Sequence, residues 1–599
     1  MKNYLFASPI AKGGIVGLSF PVGIACVAAA LRDTGRPVIG FNPAFSTDPD
    51  HDFENIILEK NIDILCIGGM STYYNQIENM INLAKSIRPT IITVLGGSLV
   101  STEPEVVIGN IGADYGIIGQ GEITIVELAK ALEETSKEDL AIVLPQVDGL
   151  VYKDANGIVY VNKCRRDIDD LDAMPFPAYD LFNITEYIEK TGILPIVGSR
   201  SCPYQCTFCY HSSGTKYRQR SLDNIFAEID HWKNNKIELL FITDELFSTN
   251  KSRVYEFCDR IKEYGIKFYF QARPDDLDEE MVIKLKESGC ALVTIGIESA
   301  DDDILKSMKK HVTFAQIENV LKILKKYDLH ITGNFIFGDI EETQISVDKT
   351  LTWYNQHPEY FVNLIMIRVL PGSYLYEYAV SKGLIPDRLA FIKKGCPLVN
   401  VSKLTDEQYR SLNDKIDNTR NERTPFAQNL QISKIYDDNS ASISMECPIC
   451  GTVNTAIVLD ITRENGQQCR SCGELMRIYP YGLIDKKVFA GLMKNLLNEY
   501  FRPYAERGDR IVAYGISDIS KAMYIYSANF RNCLISFSSA DNNAFPDGLY
   551  GVPVISPEKI KLVGADYLVI DSIKYFDEIR QYIEKELKLK IPVIDLRYK

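Results

Sequence analysis

The sequence predicts an α/β protein of several domains, and three observations carry that prediction. Short apolar runs ending in glycine alternate with amphipathic stretches over residues 1–135 and again over 191–390. A segment dense in cysteine and glycine, residues 441–485, interrupts the alternation, which then resumes toward the C-terminus. At 599 residues the chain exceeds what one core can organise, so about three to five domains are expected.

Composition narrows the function classes. Hydrophobic residues make up 46% and charged residues 24%, which is ordinary for a globular protein. A net charge of −14 and a pI near 5.2 argue against a dedicated nucleic-acid surface, which needs clustered positive charge. Lys12-Gly13-Gly14 breaks the first apolar run, and no uninterrupted run reaches membrane-spanning length, so neither a signal peptide nor a span is expected. Seven of the 14 cysteines sit in two groups with metal-ligand spacing, which points to a reducing cytoplasm.

The first array, residues 1–140, begins with a strand at Tyr4–Ile10, a loop at Gly13, Gly14 and Gly17, and a helix over Pro21–Thr34. Further strands are expected at Pro37–Phe41, Asp63–Gly69, Ile91–Gly97 and from Tyr115, the last turning at Gly119. The all-apolar third strand suits a parallel sheet covered on both faces. Such a doubly wound sheet takes ligands at the carboxyl ends of its strands. Gly68, Gly69, Gly96, Gly97, Gly119 and Gly121 lie at those ends, beside Ser71 and Glu122, and would let a flat ligand approach bare backbone. Residues 141–190, with a polar β segment over Gly149–Asn162 and then a proline-bearing stretch, read as a connector.

The second array, residues 191–400, has strand signals at Leu194–Val197, Glu238–Thr243, Phe268–Arg273, Leu292–Ser299, His330–Gly338 and Phe361–Leu370. Six strand–helix repeats predict a (β/α)6-type partial TIM barrel, with polar residues after the strands gathered at one end. Those residues are Asp244, Glu245, Arg273 and Glu298, with Gly333 and Asn334 on the fifth strand. Both charge signs at one rim suit a zwitterionic ligand.

The first of these strands leads into Ser201-Cys202-Pro203-Tyr204-Gln205-Cys206-Thr207-Phe208-Cys209-Tyr210. Three thiolates at C-x3-C-x2-C spacing can hold three corners of a cubane [4Fe-4S] cluster and leave the fourth iron open to a small molecule. With Phe208 before the last cysteine, the pattern resembles the signature of the radical S-adenosylmethionine (SAM) superfamily. The resemblance implies that Cys202, Cys206 and Cys209 hold the cluster, that SAM binds its open iron, and that reductive cleavage gives a 5′-deoxyadenosyl radical. It also implies that Asp244 and Glu245 meet the SAM amino group. Arg273 and Glu298 would grip carboxylate, amine or ribose, and Gly333, Asn334 and the rest of that strand would lie beside the adenine.

Gly68-Gly69-Met70-Ser71, Gly96-Gly97-Ser98 and Gly119-x-Gly121-Glu122 are similar in order to the cobalamin-binding domain fused to many radical SAM enzymes. That resemblance implies cobalamin at these residues. The D-x-H-x-x-G motif is missing: His51, in Asp50-His51-Asp52, has no glycine three residues later. Cobalt would therefore have no motif histidine. The other reading is a flavodoxin-like domain without cobalamin.

A helical linker is expected over 401–440, a zinc-ribbon-like module over 441–485 and a Rossmann-like domain over 486–599. Cys447-Pro-Ile-Cys450-Gly451 and Cys469-Arg-Ser-Cys472-Gly473 give C-x2-C-x18-C-x2-C, which suits a closed, structural thiolate zinc site. An auxiliary iron–sulfur cluster is the rival. In the last domain Gly515-Ile-Ser-Asp-Ile-Ser520 has one glycine where G-x-G-x-x-G needs three, which argues for recognition or docking over dinucleotide binding.

The favoured function is cobalamin-dependent methylation of an unactivated carbon in a small molecule or a surface glycan or lipid precursor. A radical SAM oxidation, cyclisation or rearrangement without methyl transfer is the second reading. A non-enzymatic cobalamin- or redox-sensing protein is the third. The enzyme readings imply a small-molecule substrate and an external electron donor such as flavodoxin or ferredoxin.

Overall fold

The architecture was obtained as a computed structural model. The structure describes residues 1–9, 20–46, 48–136, 138–154, 156–210, 214, 216–423, 426–435, 441–458, 465–469, 471, 475–478, 497–498, 500–516, 518–539, 545–546, 548–570 and 576–594. The expected loop at Gly13, Gly14 and Gly17, and Cys472, lie outside the described residues.

The N-terminal sheet contains β1 (Tyr4–Ala7), β2 (Val38–Phe41), β3 (Ile64–Gly68), β4 (Ile92–Gly96), β5 (Tyr115–Ile117), β6 (Leu150–Lys153) and β7 (Val159–Val161), in the order β2-β1-β3-β4-β5-β6-β7. Its first five strands are parallel. The hairpin β6–β7 continues the sheet antiparallel to β5. The expected boundary at residue 140 is therefore too early, because backbone pairing along the β5 edge recruits residues from the expected connector. The remainder of that connector is also packed. Tyr179 is fully buried, with its ring 5.1 Å from Phe20 and 6.3 Å from Trp232. A Cβ on Gly40 in β2 would overlap Leu181. One continuous apolar core runs from the first sheet through Tyr179 and Phe182 into the second.

The second sheet follows β8 (Ile193–Ile196), a two-residue pairing of β9 (Ser199–Arg200) with β10 (Arg218–Gln219), and then β11 (Leu239–Ile242), β12 (Lys267–Ala272), β13 (Cys290–Glu298), β14 (His330–Phe337) and β15 (Val362–Met366). The six long strands are all parallel, in the order β15-β14-β13-β12-β11-β8, which makes an open partial barrel. Ser221 caps the helix Leu222–Trp232, accepting from the Asn224 N–H at 3.1 Å. Thr313 and Gln316 form a capping box on the helix Phe314–Lys326.

Past the barrel, the helix Asp406–Arg423 occupies the expected linker, but β16 (Gln428–Ile435) does not fit a helical reading to residue 440. It pairs antiparallel with β17 (Ala441–Glu446), which pairs with β18 (Val453–Val458). The alternation of Leu430 and Ile432 with polar neighbours gives β16 one apolar face against the ribbon core. A hairpin of β19 (Asn465–Gln468) and β20 (Leu475–Ile478) completes the ribbon. The C-terminal domain is a parallel sheet of β21 (Ile511–Tyr514), β22 (Leu534–Ser538), β23 (Val554–Ile555), β24 (Tyr567–Ile570) and β25 (Val593–Ile594), in the Rossmann-like order β23-β22-β21-β24-β25. Among the described residues no helix is long and apolar enough to cross a membrane.

Candidate active site

The cysteine loop leaves β8 at the carboxyl end of the barrel and is fastened on several sides. Asp244, just after β11, accepts from the Gly198 N–H at 2.6 Å and from Ser199 Oγ at 2.6 Å. Its burial pushes the carboxyl upward, against those hydrogen bonds. The resemblance gave Asp244 to the SAM amino group; its oxygens are instead turned beneath the loop as a brace. Ser201 adopts a left-handed backbone, and its hydroxyl donates to the Gly214 carbonyl at 2.9 Å. The Thr207 N–H donates to the Met308 carbonyl, and the Leu375 N–H to the Thr207 carbonyl, each at 3.1 Å. The Cys206 thiol points at the Lys309 carbonyl, 3.9 Å away.

Charged groups close in behind the thiols. Lys310 Nζ meets Glu298 Oε1 at 2.7 Å, with both side chains under 10% exposed. Burial works against the Lys310 ammonium, yet Glu298 outweighs it and keeps the group charged. Glu298 sits at a register shift between β13 and β14, with a left-handed backbone. Gly296 makes room for this pair: a Cβ there would overlap Glu298 Oε1 and come within 2.6 Å of Lys310 Nζ. Arg273 donates to the Lys310 carbonyl at 2.5 Å, pairs with Asp275 at 2.9 Å and lies 3.6 Å above the Tyr204 ring.

This surrounding acts on the thiols. Cys206 is drawn down to about 6, first by its hydrogen bond with Cys209 and then by Lys310 and Arg273. Cys209 is held up by the same hydrogen bond and by burial, and burial raises Cys202. The thiolate is the metal-binding form, and Lys310 and Arg273 favour it at Cys206. Glu245 is half-buried and close enough to Cys202 to raise its thiol. Gly333 packs its bare backbone on Ile297, and Asn334 accepts from Asn363 Nδ2 at 3.1 Å.

The carboxyl edge of the N-terminal sheet meets this loop. Gly97 has φ +84 and backs onto Gly69, where a Cβ would come within 2.7 Å of backbone atoms. Such a turn requires glycine. Among the described residues, a Cβ built on Gly96 or Gly119 would meet nothing within 4 Å, so these two turns present bare backbone. Ser71 is buried in the turn after β3. Tyr210, next to Cys209, packs against Gly372, which also touches Thr102. Phe208 packs on the core shared with Leu95 and Leu99.

Glu122 pairs with Arg200 Nη2 at 2.5 Å, and Arg200 Nη1 donates to Gln120 Oε1 at 3.2 Å. Glu122, expected among the cofactor contacts, is thus committed to a residue two positions before Cys202. Gly121 packs on Val27 at the start of the helix Gly121–Glu134. Arg200, Lys310, Gly296 and Tyr210 escape the sequence reading. Arg200 and Tyr210 act through Glu122 and Gly372, far along the chain, and Gly296 and Lys310 act through Glu298, where the pairing depends on the β13 register shift and not on a motif.

In the ribbon, the sulfurs of Cys447, Cys450 and Cys469 all lie within 4.8 Å of one another. Cys450 Sγ is 3.6 Å from Cys469 Sγ. Asn454 Nδ2 and the Ser471 N–H each point at Cys469 Sγ from 3.4 Å. Gly451, with φ +70, turns the knuckle so that its N–H reaches the Cys447 carbonyl. Clustered sulfurs receiving N–H donors fit a thiolate metal site.

Comparison with known proteins follows this geometry. The family model for the radical SAM superfamily matches residues 196–354, and that for the B12-binding domain matches 12–129. The chain is 30% identical over 377 residues to an uncharacterized methyltransferase of Pyrococcus horikoshii, covering 61% of this chain and 79% of that one. It is 25% identical over 399 residues to the cytidylyl-2-hydroxyethylphosphonate methyltransferase of Streptomyces wedmorensis, covering 55% and 73%. Among solved structures it resembles the radical SAM methyltransferase TsrM of Kitasatospora setae with cobalamin and a [4Fe-4S] cluster bound, at a TM-score of 0.55 and 18% identity over 64% of this chain and 76% of that one. It also resembles the cobalamin-dependent radical enzyme OxsB with aqua-cobalamin and SAM bound, at a TM-score of 0.52 and 17% identity over 88% and 70%. The chain belongs to the radical SAM enzymes that carry a cobalamin-binding domain.

Proposed function

We propose that this enzyme holds a [4Fe-4S] cluster on Cys202, Cys206 and Cys209, with SAM at its open iron and cobalamin along the carboxyl edge of the N-terminal sheet. Its reaction is the methylation of an unactivated carbon in a small molecule or a surface glycan or lipid precursor. The observation that carries this reading is the meeting of the two carboxyl edges at one cysteine loop, joined by the Glu122–Arg200 ion pair and by Tyr210 and Thr102 packing together against Gly372. Bound together, the cofactors supply a carbon-centred radical and a methyl group. The chain's own residues hold and shield the site. Lys310 and Arg273 favour the thiolate at Cys206, Asp244 braces the loop, and the packed seam at Phe208 and Tyr210 excludes water.

Cys447, Cys450 and Cys469, with Cys472 as the fourth ligand, suit structural zinc, because the three described sulfurs cluster within 4.8 Å and N–H groups of Asn454 and Ser471 point at Cys469. The experiment for the main reading is turnover with SAM deuterated in its methyl group. Label in the product is expected. 5′-Deoxyadenosine formed with unlabelled product would instead establish a non-methylating radical reaction.

A further inference from the structure

The reading above requires one electron from outside the chain for each reductive cleavage. The structure has a surface suited to its delivery. The helix Tyr374–Ser381 begins against the cysteine loop, where the Leu375 N–H donates to the Thr207 carbonyl. Tyr374, Tyr378 and Lys382 follow at i, i+4 and i+8, so they share one face that leads outward from the loop. Tyr374 is 55% exposed. Lys309 Nζ lies 5.4 Å above its ring, and Lys382 Nζ lies 5.5 Å from the Tyr378 ring. Lys306 stands one turn before Lys309, whose N–H donates to the Lys306 carbonyl at 3.0 Å.

Lys306, Lys309 and Lys382 are all exposed, and none forms an ion pair among the described residues. Glu377 is bound to Arg388, and Asp302 and Asp303 stand one turn before Lys306, with Asp302 accepting from the Phe314 N–H. In a chain of 66 basic and 80 acidic residues, Lys309 and Lys382 beside the two tyrosines, with Lys306 next to them, form a strip on which lysine predominates. The backbone of the same segment contacts the thiol of Cys206.

We infer that the strip Lys306–Lys309–Tyr374–Tyr378–Lys382 is the docking surface for a small acidic flavoprotein of the flavodoxin type, the electron donor of this enzyme. The inference rests on the proposed cluster at Cys202, Cys206 and Cys209. Complementary charge steers such encounters and sets their rate and salt dependence. The interfaces of redox encounters are small, below about 1,200 Å² of total buried surface, so a strip of five side chains is a sufficient anchor. The exposed Tyr374, with the half-buried Tyr378 behind it, gives a planar apolar surface to the edge of a flavin ring. In the transfer one electron leaves the reduced flavin and enters the cluster. The donor is oxidised by one electron, and no bond is made or broken at the contact.

The test uses the full-length, anaerobically reconstituted enzyme and follows 5′-deoxyadenosine. Two reductants are compared: reduced flavodoxin over a range of concentrations and salt, and titanium(III) citrate. The variant is the double charge reversal K306E/K382E, which leaves the cysteine loop and its contacts unaltered. We expect the flavodoxin concentration for half-maximal rate to rise about tenfold or more, and its salt dependence to flatten. The titanium(III) rate should equal that of the wild type, which separates docking from folding and chemistry. Equal flavodoxin dependence in wild type and variant would overturn the assignment. A wild-type enzyme that cleaves no SAM even with titanium(III) citrate would instead defeat the cluster reading, and this inference with it.

Discussion

The two cysteine groups of this molecule are built on opposite plans. In the ribbon, Cys447, Cys450 and Cys469 come from tight knuckles, their sulfurs lie within 4.8 Å of one another, and neutral N–H groups point at Cys469. In the barrel, Cys202, Cys206 and Cys209 share one loop between two domains. Buried charges of both signs stand beside them, at Lys310, Glu298 and Arg273. A set of thiolates gathered from tight knuckles suits a metal held as a structural pin, whereas a charged wall on one side of a loop serves a ligand that must bind and react. The difference teaches that spacing alone identifies a metal site, and that the neighbours of the sulfurs identify its job.

The contrast can be broken most sharply with single cysteine changes. Cys206→Ala is expected to reduce 5′-deoxyadenosine formation to background under chemical reductant. Cys447→Ala should leave that formation intact while lowering the melting temperature by about 5 °C or more, read by calorimetry. If both substitutions silence SAM cleavage to the same extent, the division of labour is wrong.

A smaller effect is expected from the charged wall. Lys310→Met leaves Glu298 buried without its partner, which costs about 3–5 kcal/mol of stability in denaturant titration. The double change Lys310→Met/Glu298→Gln should recover most of that loss but not SAM cleavage. Gly296→Ala forces the same pair apart and should cost about 1–3 kcal/mol through overpacking, with SAM cleavage falling alongside. At the seam between the domains, Glu122→Gln keeps one hydrogen bond to Arg200 and removes the charge, for a loss of about 1–3 kcal/mol. A zinc chelator should lower the melting temperature as Cys447→Ala does, while its effect on the optical spectrum of the barrel cluster should be the smallest of all, none.

How much of this could be read from the sequence depends on the range of the interaction. Cys202, Cys206 and Cys209 fall within eight residues, and chelation needs just such closeness, so their spacing was legible. The two parallel sheets were legible from apolar runs ended by glycine. The strand Gln428–Ile435 was hidden because its polar outward face and charged surroundings read as the continuation of a helix. The polar β segment Gly149–Asn162 was legible as strand, but its place in the first sheet was not, because membership of a sheet is decided by the edge it meets. Asp244 stands at the expected strand end, but whether its carboxylate faces the pocket or the loop depends on Gly198 and Ser199, some 45 residues earlier. Glu122 finds Arg200 across 78 residues, a pairing that no motif encodes.

The claim on which the rest depends is that the carboxyl edge of the N-terminal sheet and the cysteine loop border one chamber. Electron paramagnetic resonance of the full-length protein, loaded with cob(II)alamin and a reduced [4Fe-4S] cluster, measures this directly. The account predicts a mutual magnetic interaction that splits or broadens both signals and weakens in Arg200→Ala. Two unperturbed, additive spectra from a protein carrying both cofactors would contradict it.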